Sequence, residues 1–419
     1  MSDILKVELN WEDGTDDGAP RSVVLKVPGI DHAMENFANV QMTQDIPLYR
    51  KLFGVVFLKV SRVLLQATWR VKALLWGGGG EASSDGKVAM SATDEKMMAD
   101  GITQFLTHGH KTEINFYRMF KDDPPVAMPK FYYGLDWFPS QGKDGIIIME
   151  DFSDRATTVN VAEGLSLEQI YAVIDSLTSL HARILQMDEE AWLSKFEPMK
   201  FEDESFAEMM KNMANSLVKM KPEWFKTLIA RIQDRFKVAN FEKHLLSFKE
   251  FGIPPIMVHG DMWTSNILFV KTEGGAPGNE VAAIIDWQMV KPGSIMEDLS
   301  RILGSSVDVE LRRRETPALL KFYHESLTKK LGGEAPFTLE SVTKAYWGVL
   351  PFSAMGLLFG VPLWAKMESV VGKKGVEERH DYRVEQLLSR AKGMVEDWLA
   401  SEEKEKEEGK ANEAEETKE

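Results

Sequence analysis

The sequence contains no cysteine, and its basic side chains are outnumbered by acidic ones. With no cysteine among 419 residues, the chain can form neither disulfide bonds nor a thiolate metal site. Lysine and arginine together number 50 against 65 aspartates and glutamates, so the formal net charge is −15. Binding to nucleic acid needs a basic footprint, and this balance excludes nucleic acid as a general partner.

The chain also lacks the pattern of a secretory signal at its N-terminus. The first residues, MSDILKVELNWEDG, are acidic and alternate between apolar and polar types. A signal peptide instead places basic residues before an apolar run. We therefore expect a cytoplasmic protein.

No uninterrupted membrane-spanning run is present in the long apolar stretch at residues 52–76. Lys59, Arg62, Arg70 and Lys72 interrupt it, and a spanning helix rarely carries four charges. The pattern predicts an amphipathic helix with a basic face. Two interpretations remain open: the helix packs on its own domain, or it makes a weak contact with a membrane surface or a partner.

Alternating apolar and polar residues predict strands near the N-terminus, and helical periods dominate later. Residues 4–11 and 22–27 alternate and are separated by a turn rich in Gly, Asp and Pro. Residues 93–120 predict a helix, followed by strands at 130–133 and 145–149. From Ser166, a plausible helix cap, the pattern becomes mainly helical. An α+β fold with two lobes is therefore predicted.

These patterns divide the chain into regions of different character. Residues 1–152 form a small N-terminal lobe with an antiparallel sheet and one helix, interrupted by an irregular insertion at about 31–92. Residues 153–400 form a larger, mainly helical lobe that contains a β-hairpin. Residues 401–419 are charged and lack aromatic residues, which predicts a disordered acidic tail.

Three polar side chains are expected to converge at one end of that hairpin. The stretch MVHGDMWTSNILF contains His259, Asp261 and Asn266, and a short strand follows it. The turn sequence TEGGAPGN then leads into a returning strand that ends at Asp286. Because the strands are antiparallel, the start of the first lies beside the end of the second. Two carboxylates and an amide oxygen near one point suit Mg²⁺, with one carboxylate left to accept a hydroxyl proton.

An HxD loop by itself is more often a turn or a satisfied polar pair, but the whole spacing is more specific. HGDMWTSN followed by IIDWQ resembles the aminoglycoside-phosphotransferase and choline-kinase superfamily, which has a protein-kinase-like fold. The tryptophan in HGDMW and the stretch IIDWQMVKPGSIMEDLSRIL are most similar to its ecdysteroid-kinase-like (choline-kinase-like) branch. The resemblance covers most of residues 1–30 and 93–400.

The resemblance implies roles for individual residues. It implies that Asp261 is the catalytic base and that Asn266 and Asp286 are the Mg²⁺ ligands. It also implies a structural role close to the site for a further set: His259, Trp263, Asp298 and Arg301.

The nucleotide site should lie upstream. Lys26 interrupts the apolar segment VVLKV, and a buried ammonium needs an anion. In kinases such a lysine holds the phosphates of ATP and pairs with a helix glutamate, here Glu113. The alternative is an edge-strand lysine beside an ordinary solvated glutamate. The segment IIIMED resembles the hinge that binds adenine, and the residues expected to line that pocket are Met149, Glu150 and Phe152.

One part of the kinase pattern is not found where it is expected. A Gly-rich loop normally precedes the lysine strand, yet no glycine occurs before Gly14, and Gly77–Gly80 follow Lys26. We therefore predict an N-terminal lobe without its first strand and phosphate loop. Two functions compete: a kinase that uses ATP and Mg²⁺ to phosphorylate a hydroxyl of a steroid, amino alcohol or xenobiotic, and a pseudokinase that binds nucleotide or a partner. The oligomeric state stays open.

Overall fold

The computed structural model describes residues 2–9, 20–28, 92–197 and 204–416. Residues 31–91 of the predicted insertion, with the basic stretch 52–76 inside them, lie outside the described residues. The connection between the first two strands, where the phosphate loop of a kinase would be sought, also lies outside them.

A four-stranded antiparallel sheet forms the N-terminal part of the described chain. Its strands are β1 (Ser2–Glu8), β2 (Ser22–Pro28), β3 (Phe131–Leu135) and β4 (Ile146–Glu150), in the order β1-β2-β4-β3. Strands β1 and β2 correspond to the alternating segments of the sequence, because alternation gives a strand one face for the core. Strands β3 and β4 correspond to the strands predicted at 130–133 and 145–149. Strand β2 pairs with β1 on one side and β4 on the other. Lys26 therefore lies on an interior strand, and the edge-strand alternative is wrong.

The larger part of the chain is mainly helical, with short strands between the helices. The helices are α1 (Ala92–Phe120), α2 (Leu167–Leu185), α3 (Glu189–Leu193), α4 (Ser205–Met220), α5 (Pro222–Ile232), α6 (Val238–Leu246), α7 (Glu297–Ser306), α8 (Val309–Leu331), α9 (Leu339–Trp364), α10 (Glu368–Val371) and α11 (His380–Glu416). The short strands are β5 (Ala156–Thr157), β6 (Ile256–Val258), β7 (Ile267–Lys271), β8 (Pro277–Ile284) and β9 (Lys291–Gly293).

Local sequence signals explain where several of these elements begin and turn. Ser166 caps α2, as predicted, and completes a capping box with Gln169. Strands β7 and β8 form the predicted hairpin, and Ile267 pairs with Ile284 at its base. The small sheet with its helix and the larger helical part confirm the bilobal α+β fold.

The helical lobe is held by a continuous apolar core to which α9 contributes most of its length. Helix α9 is the one described helix long and apolar enough to cross a membrane, but 61% of its most apolar window is buried inside the protein. This is the burial expected for the core helix of a globular domain.

The prediction of a disordered tail is wrong for residues 401–416, which continue α11. Charged composition alone suggested disorder, but Glu, Lys and Ala also favour helix. Tertiary contacts hold the first turn of this extension. Glu402 accepts from Arg235 at 2.6 Å, and Glu403 accepts from Arg231 at 2.7 Å.

Candidate active site

The loop after β6 is held by a buried carboxylate from α7. Asp298 is fully buried, and its two oxygens accept from the backbone N–H groups of His259 at 2.7 Å and Gly260 at 2.9 Å. A carboxylate with two donors satisfies its burial. In line with the structural role predicted for it, Asp298 holds the loop that carries Asp261 through two hydrogen bonds to its backbone.

The ring of His259 links this loop to the end of the hairpin. Asp261 donates its backbone N–H to Nδ1 at 3.2 Å, and Nε2 lies 2.9 Å from the carbonyl oxygen of Ile285. Because a carbonyl only accepts, these two bonds assign the neutral tautomer with the proton on Nε2. The buried His259 ring therefore braces the loop, as the resemblance implied, while Asp261 remains partly exposed.

Gly260 has a backbone conformation that only glycine adopts easily, with φ of +78°. A Cβ there would also collide with the carbonyl oxygen of Met289. Gly275, in the hairpin turn, has a similar φ of +79° but open space around it. Comparing a substitution at Gly260 with one at Gly275 therefore separates the cost of backbone strain from the cost of a steric collision.

We expect Gly260→Ala to destabilise the protein by more than about 3 kcal/mol, because strain and collision add. Gly275→Ala should lower the free energy of unfolding by only about 1–2 kcal/mol. Urea unfolding followed by tryptophan fluorescence measures both. Equal losses in the two variants would contradict the collision.

The hairpin brings Asn266 and Asp286 to the same end, as the sequence predicted. Ile285 donates its backbone N–H to the carbonyl of Asn266 at 3.0 Å. The side-chain Nδ2 of Asn266 donates to the backbone oxygen of Asp261 at 2.8 Å and lies 3.4 Å from its Oδ2. The Oδ1 of Asn266 accepts no hydrogen bond from the described residues, so a hard-oxygen donor is available beside Asp261.

Lys26 joins the sheet to this end of the hairpin. Its Nζ lies 2.5 Å from Glu113 on α1 and 2.5 Å from Asp286. Lys26 and Glu113 are almost completely buried, whereas the side chain of Asp286 is 27% exposed. The predicted pair of Lys26 with Glu113 is present, and the contact with Asp286 makes it a triad that spans both lobes.

Asp286 has an unusual backbone conformation, and the residue after it packs on α1. Asp286 has φ of +65°, the one described non-glycine residue with positive φ, and such strain is common at functional sites. The next residue, Trp287, stacks on Phe116 with ring centroids 3.8 Å apart. Phe116 is one helical turn from Glu113, so α1 is held to the hairpin end by an ion pair and by stacked rings.

The triad shifts the protonation equilibria of its members. For Lys26, burial lowers the pKa, but the charges of Glu113 and Asp286 outweigh burial and raise the net pKa above the usual value. For Glu113, burial raises the pKa to about 7, although Lys26 opposes this. For Asp286, burial raises the pKa, but the ammonium of Lys26 outweighs it and the net pKa is lowered. One cation thus serves two carboxylates, and Glu113 is the more readily protonated.

The shift at Glu113 predicts a pH-dependent stability. The pKa of Glu113 in the folded protein lies above its unfolded value of 4.5. Protonation of Glu113 therefore stabilises the folded state, and this contribution to the free energy of unfolding is fully present below about pH 4.5 and is lost as pH rises through 7. We expect Glu113→Gln to remove this dependence, with wild type losing up to about 3 kcal/mol relative to the variant over that window. Urea unfolding at pH 5 and pH 8 measures it, and parallel pH profiles would contradict it.

The predicted hinge residues lie where the sheet meets the helical lobe. Met149 and Glu150 end β4, and Phe152 follows. Arg155 binds the carboxylate of Glu150 at 2.5 Å, and its guanidinium lies 3.8 Å from the ring centre of Phe152. The backbone N–H of Phe152 makes no hydrogen bond with the described residues.

Asp151 lies between Glu150 and Phe152 and connects the hinge to the sheet, a role that was not predicted from the sequence. Its carboxylate accepts from Ser22 at 2.7 Å and from Lys6 at 2.9 Å. Burial raises its pKa, but these bonds and those from Ser153 outweigh it and lower the pKa to about 2. Asp151 therefore stays ionised at neutral pH and fastens β1 and β2 to the hinge.

A small apolar cluster below the hinge was also missed. Phe152, Ala156 and Ala283 are buried there, and Leu268 and Ile285 pack against them while remaining partly exposed. The sequence pattern that could have predicted this cluster is the period of two in β7. Ile267 and Phe269 are buried, and Leu268 points to the opposite face.

On the other side of the loop, Arg301 ion-pairs directly with Oδ1 of Asp261. The sequence predicted only that Arg301 is structural and close to the catalytic loop. Trp263 stacks on Trp364 at the end of α9, with centroids 5.0 Å apart and planes 10° apart. The structure thus joins Lys26 and Glu113 to Asp286 across the two lobes, and it joins Asn266 and Arg301 to Asp261. The catalytic and binding roles of the predicted residues stay predictions.

Known proteins show similarity to the chain at the levels of sequence and structure. A choline kinase from Cryptosporidium parvum Iowa II matches with a TM-score of 0.41 and 14% identity, covering 71% of this chain and 79% of that one. The kinase-like arrangement rests on the residues described above rather than on this match. They are a strand lysine, a helix glutamate, an HxD loop with its asparagine, and an aspartate beyond a hairpin.

Two proteins of Caenorhabditis elegans are similar in sequence. The chain is 26% identical to "Uncharacterized kinase-like protein D1044.1" over 317 residues, which are 74% of this chain and 81% of that protein. It is 31% identical to "Uncharacterized oxidoreductase dhs-27" over 274 residues, which are 62% of this chain. The match spans only 32% of the latter protein, so that name describes a much longer chain.

A family model also matches most of the sequence. It is DUF1679, described as "Uncharacterized oxidoreductase dhs-27", and it matches residues 81–406. That range includes the HGD loop, the hairpin and the α7 residues that hold the loop. The chain therefore belongs to the DUF1679 family.

Proposed function

We propose that the chain is a small-molecule kinase that uses ATP and Mg²⁺ to phosphorylate a hydroxyl of an organic acceptor, such as a steroid, an amino alcohol or a xenobiotic. One observation carries the proposal: the buried Lys26 lies between Glu113 and Asp286. In kinases the equivalent groups hold the phosphates and the metal. The name of the kinase-like relative supports the same activity, and the HGDMW motif supports the ecdysteroid-kinase-like branch.

The hinge and the apolar cluster below it suit an adenine ring. The free N–H of Phe152 can donate to a ring nitrogen, and Leu268 with Ile285 offers an apolar surface below the ring. Above it, Val24 lies two residues from Lys26 on the same face of β2, because strand side chains alternate. The phosphates would then extend towards Lys26.

The oxygen donors near Asp261 fit Mg²⁺. The Oδ1 of Asn266 accepts no hydrogen bond from the part of the chain that the structure describes, and Asp286 is partly exposed with its backbone turned by a positive φ. Among the described residues no group of three or more His, Cys, Asp and Glu could hold a metal. A site with two protein ligands suits Mg²⁺, which commonly keeps water and phosphate oxygens as its other ligands. When bound, the ion would neutralise phosphate charge.

Asp261 would act on the acceptor hydroxyl. The hydroxyl oxygen forms a bond to the γ-phosphorus, the bond from that phosphorus to the bridging oxygen breaks, and ADP leaves. The hydroxyl proton passes to a carboxylate oxygen of Asp261. Lys26 stabilises the phosphate charge during transfer, and Asp298 with His259 keeps the loop in place.

A direct test is ADP formation by the purified full chain with MgATP and a panel of steroid, amino and aromatic alcohols. We expect at least one alcohol to raise ADP formation well above the rate with water alone. We also expect MgATP to raise the melting temperature by several degrees. If MgATP causes neither a thermal shift nor ADP formation, the proposal fails.

A nucleotide-binding pseudokinase is the second candidate, and one contact favours it. Asp261 is engaged at Oδ1 by Arg301 and approached at Oδ2 by Asn266, so both of its oxygens have partners. A thermal shift with MgATP together with no turnover of any alcohol would support this candidate over the kinase.

A further inference from the structure

A chain of contacts leads from Asp261 to α9. The guanidinium of Arg301 binds Asp261 and rests against Gly356 on α9, where a Cβ would lie 3.0 Å from Nη1. Arg301 is three residues after Asp298, so one helical turn of α7 holds both the backbone of the loop and the side chain of Asp261. The absence of a side chain at Gly356 leaves room for the guanidinium.

One turn further along α9, a second glycine admits an aromatic ring. A Cβ on Gly360 would lie 3.0 Å from the ring of Trp364. Trp364 in turn stacks on Trp263, which is two residues after Asp261. The contacts therefore return to the loop that carries Asp261.

The face of α9 that runs past these contacts is apolar and partly open. Phe352, Gly356, Phe359 and Leu363 are half-buried, and their spacing of four, three and four residues places them on one helix face. None carries a charge. Arg301 is thus the charged group between Asp261 and this wall.

Charge at this position changes during the proposed reaction. Before transfer, Asp261 and Arg301 neutralise each other. When Asp261 accepts the hydroxyl proton, the pair carries a net positive charge, which repels an acceptor cation placed nearby.

We propose that Arg301 determines specificity by selecting acceptor alcohols that carry no positive charge near the hydroxyl. The inference rests on the proposed kinase function and narrows its acceptor classes, since it disfavours amino alcohols. Arg301 also positions Asp261, but a purely positioning role would affect all alcohols equally.

The test uses two alcohols of the same shape and different charge: choline and 3,3-dimethylbutan-1-ol. Saturation-transfer NMR titrations of each are recorded with the full chain loaded with MgADP, so that binding is read without turnover. Because the Asp261–Arg301 pair is neutral before transfer, we expect wild type to bind the two alcohols with affinities within about threefold of each other, whereas kcat/KM should be at least about tenfold higher for the neutral alcohol. Steady-state ADP formation with MgATP then compares kcat/KM for the same pair.

Substitutions of Arg301 and Gly356 separate the effect of the positive charge from the effect of the side chain's position. Arg301→Gln should bring the two values of kcat/KM within about twofold of each other, whereas Arg301→Lys, which keeps a cation, should retain the preference. Gly356→Ala displaces the guanidinium without removing it and should weaken the preference. Arg314→Gln is the control, because Arg314 is exposed and pairs with its neighbour Glu315.

Each outcome decides the inference. A kcat/KM for choline as high as that for the neutral alcohol, an unchanged ratio of the two kcat/KM values in Arg301→Gln, or no binding of either alcohol to the MgADP-loaded protein would overturn it. Failure of the kinase proposal looks different, since it shows no thermal shift with MgATP or MgADP and no ADP formation with any alcohol.

Discussion

Replacing Asp261 by asparagine is expected to reduce phosphoryl transfer to an alcohol by about 10²–10⁴-fold, the range for losing a positioned general base. Asparagine keeps the shape of the side chain but cannot accept the hydroxyl proton. The loop itself should stay in place, because Asp298 and His259 hold it through backbone groups rather than through the carboxylate of Asp261.

The measurement is ADP formation with the best acceptor, combined with a thermal shift in MgADP. We expect the shift to match that of wild type while turnover falls, since Asp261 is not among the proposed phosphate or metal ligands. Asp122→Asn is a matched control, because Asp122 is 88% exposed. Wild-type turnover in Asp261→Asn would remove the proposed role of this residue.

Replacing Lys26 by methionine should have the largest combined effect, on stability and on nucleotide binding. The change leaves Glu113 and Asp286 without their shared cation, and breaking a buried pair in this way typically costs about 3–5 kcal/mol. The loss should be greater at pH 8 than at pH 5, because the raised pKa of Glu113 allows it to become neutral in acid. MgATP binding should fall because the phosphates lose their ammonium.

A second substitution separates these two effects. In the double variant Lys26→Met with Glu113→Gln, the like charges no longer face each other, so urea unfolding should show much of the stability restored. The thermal shift with MgATP should stay small, because the ammonium is still missing. Lys321→Met is the control, since Lys321 is 65% exposed and pairs within its own helix. A Lys26→Met variant with wild-type stability and nucleotide binding would contradict the triad.

Relations between residues close in sequence could be predicted well. The adjacency of Asn266 and Asp286 followed from one turn and the pairing rule of antiparallel strands, and the cap at Ser166 followed from local hydrogen-bonding chemistry. Lys26 could be singled out because it interrupts the apolar segment VVLKV, while an edge-strand lysine stayed open as an alternative. Such inferences succeed when a short segment contains all the groups involved.

Relations across long separations in sequence could not be read in the same way. The contact of Arg301 with Asp261 depends on where α7 docks, and the stacking of Trp364 on Trp263 depends on the path of α9. The tail shows the same limit, since its composition suggested disorder while Glu402 holds it to Arg235. Charge patterns describe what a helix can bind but not which surface it meets.

The sequence by itself determined the α+β class, the HGD and hairpin motifs and the candidate residues, because each depends on local periodicity, turn chemistry or motif spacing. Only the tertiary structure decided that Lys26 bridges Glu113 and Asp286, and that Arg301 sits beside Asp261 against a glycine of α9. The physical reason is that burial and close packing, which set the charge pairing of Lys26 and the contacts of Arg301, arise when distant segments dock.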